Sequence, residues 1–314
     1  MELVREIERL LREEKVGEAF ELLIRSAPED VRSVVESSIK KPEVLKDVGG
    51  LWRDLALIVH FVNTSIECSK EHDNRSLVSC VLASINGVKL AKELGMMSIA
   101  PKLMINAARA LTLMNMKERA ERMLIEAERI CEEMGDEEAL AEVEKELSAI
   151  YYEQERFADA KVKVEEAIET FRKLGDFEKL AETLTSAAEI YVKLGDFESA
   201  ESCYREAEEV YRKLVESEAS AKFGLAVLLS NYAVYLRRVA RFGEAESKLR
   251  EALEIFEELE KSDSTFAQFV AAALRHMGDL KREMKEFGEA ERYYLLSSRK
   301  FREIQERLPG FSAS

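Results

Sequence analysis

Residues 139–175 read ALAEVEKELSAIYYEQERFADAKVKVEEAIETFRKLG, in which two apolar stripes flank a short polar turn at Arg156. The apolar residues are Leu140, Val143, Leu147 and Ile150 before the turn, and Ala160, Val164, Ala167, Ile168 and Phe171 after it. Spacings of three and four residues place each set on one face of an α-helix. Gly175 suits the left-handed conformation that often ends a helix. The stretch therefore predicts two antiparallel helices, over residues 138–154 and 158–174, joined by a tight turn.

The same unit recurs along most of the chain. A small residue returns at intervals of 40, 40, 40, 45 and 45 residues, at Cys80, Ala120, Ala160, Ala200, Ala245 and Ala290, which are here named the anchors. A second small residue follows each anchor by seven positions, at Gly87, Ala127, Ala167, Ala207, Ala252 and Ser297. A period of this length is typical of stacked supersecondary units rather than of one globular core.

Small side chains have a physical role where two helices cross near a tight turn, because larger ones would hold the backbones apart. Twelve residues before the last five anchors the first helix is also small, at Ala108, Ser148, Ala188, Ala233 and Gly278. An aromatic residue follows four anchors by eleven positions, at Phe171, Tyr211, Phe256 and Phe301. We expect these rings to fill the gap between one helix pair and the next.

These residues resemble the tetratricopeptide repeat. That family combines a small residue and a downstream aromatic in its first helix with alanines in its second, and the matching residues here are Ser148 with Tyr151, Ala188 with Tyr191, Ala160 with Ala167, and Ala200 with Ala207. The resemblance covers residues 97–307 well and 51–96 weakly, and the long period is similar to that of kinesin light chain repeats. It implies an all-α fold, a right-handed α-α superhelix of about six helix pairs over residues 51–307.

The two ends of the chain differ from the repeats. Pro28, Pro42 and Gly49-Gly50 interrupt the helical pattern near the N-terminus. We interpret residues 1–50 as an N-terminal helical cap, because a terminal repeat must present a polar outer face. Residues 308–314, LPGFSAS in sequence from Leu308, are expected to form a flexible tail.

Composition excludes several classes of protein. Residues 131–210 hold 24 acidic and 9 basic residues, so the whole net charge of −15 lies in this middle segment. An acidic surface repels phosphates, and nucleic acid is therefore not an expected partner. No apolar run reaches the length that crosses a bilayer, and the N-terminus lacks the apolar centre of a signal peptide. The expectation is a cytoplasmic protein that does not bind membranes.

No motif for catalysis or for a cofactor stands out. The chain has no GxGxxG, GxxxxGK[ST], HExxH or GxSxG motif. Cys68, His72 and Cys80 could face one another on a helix, but their spacing is irregular for a closed zinc site. We therefore expect no enzyme activity, no cofactor and no metal.

The candidate binding residues come from the repeat register. In a stack of helix pairs the first helices line the inner groove, and their side chains that point away from the second helix should meet a bound segment. These are Lys102, Asn106, Arg109, Glu142, Lys145, Glu182, Thr185, Glu189, Ser230, Asn231, Arg237, Arg275, Asp279 and Arg282. Asn106 and Asn231 both lie fourteen residues before an anchor. The resemblance implies that such an asparagine bonds the backbone of a bound peptide.

The predicted function is a non-catalytic scaffold or adaptor that binds a protein or peptide segment in the groove. Glutamates occupy the middle of the predicted groove and basic residues its flanks, which favours a partner with a basic centre and acidic ends. Two alternatives stay open: a regulatory sensor of a small ligand or signalling peptide that acts on an effector in trans, and a self-associating subunit. A homodimer face could use Tyr232 and Tyr235, or Phe287, Tyr293 and Tyr294.

Overall fold

The computed structural model describes residues 2–39, 41–48, 50–69, 73–217 and 219–307, and this part of the chain is helical with no strand. It divides into two compact units, Met1–Thr170 and Phe171–Ser314. The predicted all-α fold of stacked antiparallel helix pairs is confirmed. The predicted tail, residues 308–314, lies outside the described residues, and so does His72.

The first unit begins with three short helices, α1 (Glu2–Arg12), α2 (Val16–Ser26) and α3 (Glu29–Ser38), and a 3₁₀ turn at Pro42–Asp47. The longer helices are α4 (Gly50–Ser69), α5 (Asn74–Leu94), α6 (Ala100–Leu113), α7 (Lys117–Met134), α8 (Glu137–Glu153) and α9 (Phe157–Leu174). Buried side chains of α1 and α2, such as Ile7 and Leu23, share one core with Leu55, Val59 and Leu103. The short helices thus pack directly on the repeats, and a separate cap over residues 1–50 stays a prediction.

The second unit contains the end of α9 and six further helices. These are α10 (Phe177–Leu194), α11 (Phe197–Ser217), α12 (Lys222–Arg238), α13 (Phe242–Ser262), α14 (Ala267–Glu283) and α15 (Phe287–Arg307). Helix α10 packs along α11, α12 along α13, and α14 along α15. Short 3₁₀ turns at Ala219–Ala221 and Ser264–Phe266 lead into α12 and α14. The 45-residue spacing here also reflects longer second helices, since α11 and α13 have 21 residues whereas α7 and α9 have 18.

The predicted small positions lie where neighbouring helices meet. Five of the six anchors are fully buried and Ala290 is nearly so, and Ala108, Ser148, Ala188 and Ala233 on the first helices are buried as well. A Cβ atom added to Gly278 would lie 2.7 Å from Cε1 of Tyr294, so a larger residue would displace that ring. The close crossing predicted from the repeat register is therefore present.

The aromatic positions fill the gaps between pairs, with one exception. Phe171, Tyr211 and Phe256 are buried, as predicted. Phe301 is 41% exposed, because it lies on α15 and no later helix of the described chain packs over it.

Every hairpin turn from α6 onward uses the same backbone geometry. The residue five positions before each of the last five anchors has a positive φ between 60° and 79°, and these residues are Asn115, Glu155, Gly195, Ala240 and Lys285. Only one of them is glycine. The next helix begins close by, at Phe157, Phe197, Phe242 and Phe287 in the last four turns, and the start at Phe157 is one residue from the boundary predicted at residue 158.

A glycine followed by an aspartate connects α7 to α8 and α9 to α10. Gly135 and Gly175 have φ of 68° and 73°, the left-handed conformation that the sequence predicted for Gly175. The following Asp136 and Asp176 accept hydrogen bonds from the backbone N–H of Ala139 and Lys179, at 3.1 and 3.0 Å. Each aspartate thus caps a helix N-terminus.

Candidate binding cleft

One cleft in the second unit collects four of the residues predicted from the repeat register. It lies between α10 and α12, with Tyr211 of α11 at its inner side, and has a volume of about 280 Å³. Glu182, Thr185 and Glu189 come from α10, and Asn231 comes from α12. First-helix side chains of consecutive repeats therefore converge, which is the geometry expected of a groove in this kind of stack.

The polar wall of the cleft is a row of carboxylates on α10. Glu178, Glu182 and Glu189 follow one another at spacings of four and seven residues, so they lie on one helical face. The described residues that line the cleft include no lysine or arginine. The wall therefore presents negative charge to whatever enters.

The amide of Asn231 is directed at one of these carboxylates. Its Nδ2 donates a hydrogen bond of 2.6 Å to Oε1 of Glu189. Burial raises the pKa of Glu189, and the nearby ammonium group of Lys193 opposes that rise. The partly buried carboxylate is held in one orientation by Asn231 and is incompletely compensated by positive charge, so a cation in the cleft would stabilise its ionised form.

The opposite wall is apolar. Phe223, Val227 and Leu228 of α12 line it. The ring of Phe223 is fixed by other rings, with its centroid 4.8 Å from that of Phe269 in an edge-on contact and 5.4 Å from that of Phe266. An aromatic wall facing carboxylates suits a ligand that has both an alkyl chain and a positive charge.

Gly224 determines how deep the cleft is on the α12 side. A Cβ atom at this position would lie 2.5 Å from Cε1 of Tyr211, so only glycine lets the ring lie against the helix backbone. Burial raises the pKa of the Tyr211 hydroxyl, and the charges of Glu182 and Glu178 add to the rise. Tyr211 therefore keeps its proton at neutral pH and offers no negative charge of its own.

The remaining predicted residues of the second unit lie elsewhere. Ser230 is buried, and its hydroxyl has no hydrogen-bond partner among the described residues. Arg237 pairs with Glu283 at 2.8 Å. Arg275 is exposed on α14, while Asp279 accepts a hydrogen bond of 2.8 Å from the Tyr294 hydroxyl and lies 3.6 Å from Arg282.

The predicted residues of the first unit are largely engaged with their own neighbours. Lys102 pairs with Glu14 at 2.9 Å, and Arg109 pairs with Glu146 at 2.6 Å. Glu142 and Lys145 are half-buried on α8. Asn106 is buried, and its Nδ2 donates to the Ser65 hydroxyl at 3.2 Å within a small polar network that includes Ser84. Asn106 and Asn231 therefore share a register but not an environment.

The sequence missed part of the cleft. Glu178 lies one helical turn before Glu182, and the register alone could have included it. Tyr211 was predicted only as a filler between pairs, and it is that as well as a wall of the cleft. Gly224, a glycine inside a helix, was the available signal of a close approach on this side.

The predicted dimer faces are partly wrong. Tyr232 and Tyr235 are each only 4% exposed. Tyr232 stacks on Tyr204 with centroids 4.9 Å apart, and the Tyr235 hydroxyl donates to the Phe197 carbonyl at 3.0 Å. These two tyrosines belong to the core and cannot form a contact face. Phe287, in contrast, is strongly exposed.

The described part of the chain contains no group of three or more histidine, cysteine or acidic side chains that could hold a metal ion. Within the same part, none of the helices has the length and hydrophobicity needed to traverse a bilayer.

Comparisons with known proteins agree with this architecture. The family model of the tetratricopeptide repeat matches residues 137–213, which span α8 to α11. No curated protein sequence shows significant similarity to the chain.

Several solved structures share the fold at low sequence identity. BtubC (BKLC) from P. vanneervenii is 20% identical, with a TM-score of 0.64 over 76% of this chain and 96% of that protein. RapI in its apo form is 17% identical, with a TM-score of 0.64 over 88% and 95%. The quorum sensor NprR from B. thuringiensis in its apo form is 13% identical, with a TM-score of 0.63 over 98% and 76%. A structure of NprR in complex with its cognate peptide NprX is 16% identical, with a TM-score of 0.56 over 91% and 77%.

The repeat register, the helix pairs and the family match lead to the same conclusion. The chain contains tetratricopeptide repeats, which the family model matches over residues 137–213.

Proposed function

We propose that this protein is a non-catalytic binding module that holds a peptide segment in the cleft between α10 and α12. The observation that supports this most is the convergence of Glu182, Thr185, Glu189 and Asn231, four residues selected by register alone, on one cleft. NprR, whose fold is similar, has a structure with its cognate peptide. The same fold can therefore hold peptide ligands.

The chemistry of the cleft narrows the ligand to a segment with a basic residue. Three carboxylates on one wall attract an ammonium or guanidinium group, and Phe223 with Val227 offers an apolar surface for its alkyl chain. The Asn231 amide orients the Glu189 carboxylate. This corresponds to the basic centre predicted from the charge pattern. Acidic ends are not part of the proposal, because Lys102, Arg109 and Arg237 already pair with glutamates.

A peptide array tests the proposal directly. Random hexapeptides on an array are probed with the labelled full chain, and the strongest binders are measured by titration calorimetry. We expect enrichment of peptides with a central lysine or arginine, and a Kd that rises with salt. The double substitution Glu182→Lys/Glu189→Lys should weaken the binding of these peptides by about tenfold or more, because it reverses two charges in the cleft.

A matched variant controls for net charge. Glu198→Lys/Glu209→Lys makes the same charge change at exposed positions of α11 that do not line the cleft. It should leave the Kd within about twofold, since screened charges at a distance contribute little. The proposal is wrong if the enriched peptides lack basic residues, or if the two double variants bind the selected peptides with equal affinity.

A further inference from the structure

In two junctions, α7 with α9 and α11 with α13, ion pairs at two fixed registers join the second helices of neighbouring repeats. One pair joins the residue after an anchor to the residue four before the next anchor: Glu121 to Arg156 and Glu201 to Arg241, both at 2.7 Å. These contacts join α7 to the start of α9, and α11 to the start of α13.

The second register lies farther along the same helices. It joins the residue eight after an anchor to the residue three after the next anchor: Glu128 to Lys163 at 2.7 Å, and Glu208 to Lys248 at 2.6 Å. All eight side chains of these pairs are more than half-buried, and the pairs close the gap between the second helices at two levels.

Like the junction between α13 and α15, which has Glu246 with Glu286 and Leu253 with Tyr293, the junction between α5 and α7 lacks oppositely charged residues at both registers. The first register holds Val81 and Met116 in place of glutamate and arginine, and the second holds Val88 and Met123 in place of glutamate and lysine. No ion pair joins α5 to α7 among the described residues. Instead a groove of about 360 Å³ opens there, with Met104 of α6 as its floor and Ile85, Val88 and Met123 along its sides.

The apolar surface continues along α5 beyond the groove. Val78, Leu82 and Ile85 are 42%, 56% and 49% exposed. Their spacing of four and three residues forms one stripe about 10 Å long on the helix. A contiguous exposed apolar stripe of this kind marks an interaction surface more often than a scattered single residue does.

Positive charge borders the groove on the α7 side. Arg119 and Arg122 line it, are exposed, and have no ion-pair partner among the described residues. Most other arginines in the described repeats pair with a glutamate or aspartate, as Arg156, Arg212 and Arg241 do. Glu126 is the one carboxylate in the groove lining, and it lies at the end away from Arg119.

We propose that this groove, lined by Ile85, Val88, Met104, Met123, Arg119 and Arg122, docks an amphipathic helix of a partner protein whose apolar side chains enter the groove and whose carboxylates meet the two arginines. Two flanking helices with an apolar floor suit an entering helix that anchors residues at spacings of three, four and seven. Methionines on the floor and side adapt to different side chains. The inference stands on the first unit alone and does not depend on the peptide cleft of the second.

The paired junctions supply a substitution that should close the groove without harming the fold. Val88→Glu/Met123→Lys installs the residues that the same positions hold in the α7–α9 and α11–α13 junctions. We expect this variant to keep the thermal midpoint of the wild type within a few degrees. A second variant, Leu82→Gln/Ile85→Gln, changes only exposed side chains and guards against a folding defect in the first.

The experiment selects ligands for the full chain from a display library of 18-residue random peptides, and the enriched peptides are measured by titration calorimetry. The expected peptides become helical on binding, carry apolar residues at i, i+3 or i+4 and i+7, and contain aspartate or glutamate. Val88→Glu/Met123→Lys and Leu82→Gln/Ile85→Gln should each weaken the binding of these peptides about tenfold or more. Arg119→Ala/Arg122→Ala should weaken them several-fold and reduce the salt dependence.

Other occupants would overturn the proposal through distinct results. Equal binding of the selected peptides to wild type and to both groove variants rules the groove out. Light scattering that shows a concentration-dependent dimer, lost in Val88→Glu/Met123→Lys, would assign the groove to a second copy of the chain. Sedimentation with vesicles of phosphatidylserine and phosphatidylcholine that depends on Arg119 and Arg122 would assign it to a lipid surface.

Discussion

The turn residues with positive φ are the clearest case in which the conformation of a single residue lowers the stability of the fold. Ala240 has φ of 60° in the turn between α12 and α13, at the position that Gly195 occupies in the turn between α10 and α11. A residue with a Cβ atom loses roughly 1 kcal/mol in this conformation, and glycine does not. The turn with Ala240 is therefore intrinsically less stable than the equivalent turn with Gly195 in the preceding repeat.

Exchanging the two residue types should change stability in opposite directions. We expect Ala240→Gly to raise the free energy of unfolding by about 1 kcal/mol and Gly195→Ala to lower it by a similar amount. Urea denaturation followed by circular dichroism measures both. As a control, Ser202→Ala on the exposed face of α11 should be nearly neutral. Equal effects of the same sign would show that φ does not limit these turns.

Glu144 is a buried carboxylate with an unfavourable setting in the first unit. Burial raises its pKa to about 7, and the charge of Glu166 adds to the rise while Lys163 opposes it. The folded protein therefore binds a proton at Glu144 that the unfolded chain, with an ordinary glutamate pKa of about 4.3, has already released. Stability contributed at this site must fall as pH rises from about 4.3 to about 7.

Glu144→Gln should remove that pH dependence. The variant is expected to match the wild type near pH 4.5 and to exceed it at pH 8 by an amount of order 1–3 kcal/mol. Urea denaturation at several pH values measures the difference, with Glu137→Gln at an exposed site of α8 as the matched control. A constant difference between wild type and Glu144→Gln across this range would contradict the raised pKa.

At the scale of helices, the pairs depend on backbone contact that only small residues permit. Ala200 is fully buried near the turn where α10 and α11 cross. Leucine at this position would force the helices apart or into strained rotamers, and we expect Ala200→Leu to lower the free energy of unfolding by about 1–3 kcal/mol. Thermal and urea denaturation measure the loss.

The matching control places the same bulk on the opposite face. Ser202→Leu adds a leucine to the exposed side of α11 and should change stability by less than about 0.5 kcal/mol. An Ala200→Leu variant as stable as Ser202→Leu would mean that the crossing has room for a side chain, against the observed burial.

At the scale of the whole chain, a stack of repeats transmits a disturbance mainly to its neighbours. Hydrogen exchange of Ala200→Leu should therefore show lost protection in α10 to α13, while the amides of α4 to α6 keep the protection of the wild type. A uniform loss in all of these helices would indicate that the chain unfolds as one cooperative body.

The sequence was sufficient for the repeats because their signal is local and repeated. Anchors such as Ala160 and Ala200 recur at a fixed spacing, and any one of them could be misread without losing the register. It was not sufficient for Asn106, since the hydroxyl of Ser65 that accepts its hydrogen bond lies 41 residues earlier in the chain. The burial of Tyr232 and Tyr235 is unpredictable from local sequence for a similar reason, because it depends on Tyr204 and Phe197 of another helix.

The binding cleft could be predicted in part for the same physical reason. Register determines which side chains of α10 and α12 face the groove, and Glu182, Thr185, Glu189 and Asn231 meet there. Register does not determine which gaps between helices stay open. The groove between α5 and α7 is lined where two pairs of side chains differ from their counterparts in the α7–α9 and α11–α13 junctions, and only the observed ion pairs reveal that those counterparts join the helices.

Because the turns share one backbone geometry, the segment between two turns is a cassette, that is, a unit that can be duplicated in tandem. Residues 116–155 begin directly after the left-handed residue Asn115 and end with the left-handed residue Glu155, and the φ angles of these two residues are nearly identical at 60° and 61°. A second copy of this cassette spliced in tandem would meet a compatible backbone at each seam. The protein could thus be lengthened by genetic duplication, one helical hairpin at a time, without inventing a new connection.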